Sequence, residues 1–172
     1  MTSRPDRTEA AEYYFTYIDQ VGSGDIRDII DAQGPATVSL LRGLDESQSR
    51  QRYAPDKWTI GEVVSHLNDT ERLFVFRALW FARGFETALP SFDQHVALAS
   101  AGVGGRSWSS LVDEFAAVRA ATSTFFRAVP EEAWMRRGIA SGCEFTVRGL
   151  AYITAGHVAH HVRILNERYL AR

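Results

Sequence analysis

AGHVAHHVRILNERYL, residues 155–170, carries three of the chain's five histidines, at positions 157, 160 and 161. Successive residues of an α-helix turn by about 100°, so His157 and His161 lie about 40° apart on one face, one turn from each other. Two neutral imidazoles at that spacing can converge on one ion. Their stripe continues through Leu150, Ile153, Ile164 and Leu165, all apolar, and so faces a fold interior. His160 falls about 100° from His161, off the stripe, and reads as a flanking or subunit-contact residue. The plain alternative is a group of buried or surface histidines with no ion. Against it, two imidazoles desolvated side by side both need partners.

Two ligands from one helix do not complete a site. The remaining histidines are His66 and His95. His66 lies inside T-I-G-E-V-V-S-H-L-N-D-T-E, on a stripe with Thr59, Val63, Thr70 and Leu73; His95 lies in a glycine-rich connection. A rigid helical position serves a ligand better than a loop, so His66 is the expected third. Familiar metal motifs do not apply. H-V-A-H-H lacks the glutamate of H-E-x-x-H, and the paired E-x-x-H segments of di-iron bundles are missing.

Outward from these stretches, most of the chain reads at helical period. A first helix is expected over about 8–20, broken at Gly22-Ser23-Gly24. A second should run from Asp25 to about Leu44, with a kink or break at Gly34-Pro35, where a donor is lost. The third begins at Thr59, where T-I-G-E forms a capping box, and stops at Gly84. Residues 84–106 hold four glycines and Pro90 and read as a long connection, in which S-F-D-Q (91–94) caps a short helix. A fourth helix spans about Ser107 to Val129. P-E-E-A-W (130–134) begins a short one, and the last covers Thr146 to Tyr169. Strand alternation is weak throughout. The expectation is an all-α four-helix bundle with short extra helices in its connections, forming a single domain over 1–172.

Of 172 residues, 45% are hydrophobic and 23% charged, which is ordinary globular composition. The net charge is −2, with no long basic run, so the electrostatic footprint of a nucleic-acid binder is missing. Cys143 is the single cysteine, which allows no intrachain disulfide and fits a reducing compartment. No apolar run approaches the roughly 18–20 residues that span a bilayer, and MTSRPDRTEA has no signal-peptide character. A cytoplasmic protein with no membrane or nucleic-acid partner is expected.

K-W-T-I-G-E-V-V-S-H-L-N-D-T-E at 57–71, L-P-S-F-D-Q at 89–94 and G-H-V-A-H-H-V-R-I-L-N-E-R-Y-L at 156–170 together resemble the DinB family, in particular its YfiT-like branch of metal-dependent hydrolases. The resemblance covers about residues 50–170. It implies a bundle of up-down-down-up type, often dimeric, and a divalent metal, usually Zn or Ni, held by three histidines. Matched residue by residue, those fall on His66, His157 and His161. It also implies a small-molecule substrate and one of two chemistries, thiol transfer with a low-molecular-weight thiol as cosubstrate, or hydrolysis. A binder without turnover, a dimeric stress-response protein, is the alternative of a different class.

Three protein ligands leave a fourth position open, the catalytic pattern. Asp69 and Thr70, one turn beyond His66, are the candidates to orient a ligand or water. Glu71, about 140° round from His66, reads as a surface residue. Cys143 reads as a small loop residue, since nothing visible lowers its pKa. Asp93 and His95 stand where they can overhang the site, although helix capping and solvation explain them equally. Trp58, Trp80, Trp108 and Trp134 read as packing anchors.

Overall fold

The computed structural model describes residues 3–171. After short 3-10 turns at Arg7–Glu9 and Glu12–Tyr14 come α1 (Phe15–Ile18), α2 (Ile26–Arg42), α3 (Glu46–Ser49) and α4 (Ile60–Ala82). There follow α5 (Gln94–Ser100), α6 (Trp108–Arg127), the strands β1 (Arg137–Ala140) and β2 (Cys143–Thr146), and α7 (Val147–Ile164), which ends in a π-helical turn at Leu165–Tyr169. Among the described residues no helix is long and apolar enough to cross a membrane.

The four long helices, α2, α4, α6 and α7, form the expected bundle, and side-chain partners give their directions. Asp31 meets Ser123 and Asp28 meets Arg127, while Arg42 meets Asp113, so α2 and α6 are antiparallel. Asn68 meets Leu111 and Glu71 meets Arg119, so α4 and α6 run the same way. Trp58 at the start of α4 receives Tyr169, and Thr70 approaches His157, so α4 and α7 are antiparallel. The result is up-down-down-up. The long 83–107 connection is what a parallel neighbouring pair requires.

Thr59 and Glu62 close the capping box of α4, with Glu62 N–H on Thr59 Oγ1 at 3.1 Å and Thr59 N–H on Glu62 Oε2 at 2.7 Å. The apolar core has two parts. One gathers Ile60, Val64, Leu67, Leu111, Phe115, Val158 and Leu165. The other gathers Phe15, Ile18, Phe74, Phe81, Phe126, Trp134, Phe145 and Ile153. Between Leu67 and Phe74 on α4 the apolar core gives way to buried polar residues, Thr70 and Glu71.

Three local expectations are corrected. Residues 8–20 are not one helix; the segment lies directly on α7. At Gly156 a Cβ would come within 2.2 Å of the Tyr17 carbonyl oxygen, so the close approach requires glycine. α2 runs through Gly34-Pro35 as one helix, and Gly34 serves Arg119, whose Cγ would lie 2.7 Å from a Cβ there. The pair β1–β2, missed at the level of pattern, is a four-residue antiparallel hairpin whose register puts Ala140 opposite Cys143. Its two-residue turn, Ser141-Gly142, has φ of 53° and 73°, the primed type that suits the strand twist. Leu89 joins its edge, with Leu89 N–H on Ile139 O at 2.9 Å.

Candidate metal centre

His66 projects from the middle of α4, and His157 and His161 from successive turns of α7. The antiparallel crossing brings all three to one place. His157 Nε2 lies 3.1 Å from His66 Nε2 and 3.2 Å from His161 Nε2. The ligating atoms of the trio all lie within 4.8 Å of one another. A tetrahedral ion with Zn–N bonds of about 2.0–2.1 Å spaces its ligands about 3.3 Å apart, close to the two contacts seen. When each ring carries its proton on Nδ1, three lone pairs meet with nothing between them, and a cation resolves that arrangement. The donor set therefore fits a divalent metal.

Thr70 supports this tautomer at His157. Its hydroxyl donates to the His66 carbonyl at 2.6 Å, which leaves its oxygen to accept from His157 Nδ1–H at a long 3.5 Å. His161 Nδ1 is buried without a hydrogen-bond partner. Burial holds all three rings neutral. It pushes His66 down to about 4, with His95 adding to the effect, and His161 down to about 3, with His66 and His160 adding. His157 falls well below the ordinary value through burial first and its neighbouring imidazoles second. Neutral imidazole is the form that ligates.

Aromatic rings wall the cluster. Tyr17 and Phe74 stand edge-on to His157 at 5.1 and 5.6 Å, and Trp58 covers His66 at 4.9 Å. A cavity of about 480 Å³ opens beside it, lined by His66, Thr70 and His157 and also by Tyr13, Tyr14, Tyr17, Arg77, Asp93 and Ser141.

Asp69 is half-buried and faces Arg72 at 3.9 Å; it does not line the cavity. Asp93 does line it, at the rim, and caps α5 through the N–H groups of His95 and Val96. His95 is exposed, with its ring 5.9 Å from Trp58. His160 stays outside the cluster, 3.1 Å from Gln20 and edge-on to Tyr17. Cys143 is half-buried in β2. Glu71 corrects the sequence reading. It is 2% exposed and bonded to Arg119 at 2.7 Å, because α4 packs against α6 as well as α7 and so has two buried faces. Trp108 and Trp134 are core residues as expected. Sequence reading passed over Arg77 and the tyrosines of E-Y-Y-F-T-Y. Arg77 was within reach, since it lies eleven residues beyond His66 and returns to the same helix face.

A protein-family model, the DinB superfamily, matches residues 29–165. No curated protein matches. Among solved structures, YfiT from Bacillus subtilis, described as a probable metal-dependent hydrolase with an unusual four-helix bundle topology, aligns with a TM-score of 0.67 at 15% identity, over 95% of this chain and 92% of that one. At that identity the likeness is one of fold.

Proposed function

The chain belongs to the DinB superfamily, and from that premise we propose that it is a metal-dependent enzyme in which His66, His157 and His161 hold one divalent ion, Zn or Ni. The observation that carries the reading is the meeting of three Nε2 atoms, those of the buried His66 and His157 and of the half-buried His161. A divalent ion held by these three neutral ligands would keep its full charge and would supply Lewis-acid activation of a thiol or a water. The chain's own residues set the conditions. Burial keeps the imidazoles unprotonated, Thr70 orients His157, and Tyr17, Phe74 and Trp58 keep bulk water from the rings. The cluster contains no carboxylate to act as base. Activation of water benefits from such a base, whereas activation of a thiol by a bound ion would not need one. Thiol S-transfer with a low-molecular-weight thiol as cosubstrate therefore ranks ahead of hydrolysis. A small-molecule substrate, a homodimer and a cytoplasmic location belong to the same reading.

The test begins with metal content. Untagged wild type should carry one equivalent of a divalent metal, His161→Ala much less, and His160→Ala the full amount. Equal metal in wild type and His161→Ala would sink the assignment. Loaded protein is then given a thiol with an electrophile, and separately esters without thiol. Chelation should abolish the thiol-dependent reaction. Ester turnover alone would make the protein a hydrolase, and inactivity on both panels would make it a binder.

A further inference from the structure

Arg77 is 2% exposed, and its guanidinium borders the cavity that contains the histidines. Its Nη2 donates to the Pro90 carbonyl at 3.2 Å and to Ser141 Oγ at 2.7 Å, while Nε has no partner. Tyr14 is a further hydrogen-bond partner and Cys143 stands near, and neither is a carboxylate. The one carboxylate on the cavity rim, Asp93, is turned to the N-terminus of α5. A buried guanidinium with no counter-charge around it is an incomplete arrangement, and the unpartnered Nε is itself closed to the cavity. Its missing partner is an anionic oxygen, which the planar donor fork matches.

His66, Thr70, Phe74 and Arg77 lie along one side of the cavity. They occupy one stripe of α4, and His66 and Arg77 are about 16 Å apart along the helix axis at 1.5 Å per residue. Ser141 is placed opposite by the hairpin turn, at a left-handed φ of 53° that a non-glycine residue seldom adopts. The cavity's volume suits a small molecule.

We propose that Arg77, with Ser141 and Tyr14, is an anion receptor that binds the carboxylate or phosphate end of an elongated substrate whose reacting end lies at the histidines. The word substrate rests on the metal reading above; the receptor itself does not.

Metal-free wild-type protein is titrated calorimetrically with benzoate, its neutral analogue benzamide, and inorganic phosphate. An anion should bind at least tenfold more tightly than benzamide. Preference for benzoate or for phosphate identifies the acidic group. Arg77→Gln should weaken the anion tenfold or more and Ser141→Ala several-fold, with metal content unchanged in both. If Arg77→Gln does not fold, Ser141→Ala and the benzamide comparison decide. Binding of neither anion, equal binding of benzamide, or undiminished anion binding in the variants overturns the receptor. Failure of the metal reading shows instead as His161→Ala retaining metal, and leaves the anion titration intact.

Discussion

Among the described residues two arginines are buried, and their surroundings differ. Arg119 on α6 is 3% exposed and bonded to Glu71 at 2.7 Å. Arg77 on α4 is equally buried but meets only neutral oxygens. The first cation is matched by a charge of the protein's own, although its Nε and Nη1 have no hydrogen-bond partner. The second is held beside a cavity with no charge of the protein's own against it. Even in the matched pair desolvation dominates, since burial raises Glu71 and lowers Arg119. Such a pair fixes geometry more than it adds stability.

Removing half of the matched pair should have the largest effect. Glu71→Leu leaves Arg119 charged and alone, at a cost of about 3–5 kcal/mol, while Glu71→Leu with Arg119→Met should recover most of the loss. Arg77→Gln orphans no counter-charge and should cost about 1 kcal/mol. Urea unfolding of the three variants checks this, and equal costs for Glu71→Leu and Arg77→Gln would break the contrast.

Acid should act next, on the histidine cluster. His66 is held near 4 and His161 near 3 in the folded chain, against about 6.5 unfolded. Below 6.5 the unfolded chain therefore binds more protons. Metal-free protein should hold its full stability above pH 6.5 and lose it progressively as the pH falls toward 4. His66→Ala should show a shallower decline, and an identical pH profile would remove His66 from the cluster's acid response.

The smallest effect is expected at Thr70. Thr70→Val keeps the shape and removes the acceptor facing His157 Nδ1. The bond is long, so metal affinity should fall by about tenfold, the low end for such a partner. Competition with a chelating dye measures it. An unchanged affinity would reduce Thr70 to a packing residue.

The helices that carry the histidines were readable because each signal is local. A capping box starts α4 at Thr59, and an i,i+4 histidine pair on an apolar stripe needs only the helical period. Glu71 was misread because one helix's pattern does not reveal how many neighbours it will have. Arg77 was passed over for a related reason: a lone arginine at helical spacing looks solvated until the partners that bury it, Pro90 and Ser141, arrive from distant loops. The hairpin escaped because four residues per strand are too few for alternation to register. The 8–20 segment misled because its conformation is set by contact with α7 at Gly156 and not by its own preferences.

That glycine has a consequence for tracing kin. The superfamily match spans 29–165 and includes all three clustered histidines, while Tyr13, Tyr14 and Tyr17, which line the cavity, precede it. Chains sharing the three histidines can thus agree on the cluster and differ in the cavity beside it. A genome search for proteins that accept the same molecule should ask for E-Y-Y-F-T-Y, a glycine immediately before the first histidine of the pair, and an arginine eleven residues beyond His66. The histidines alone would select for the cluster, and these added positions would select for the proposed receptor beside it.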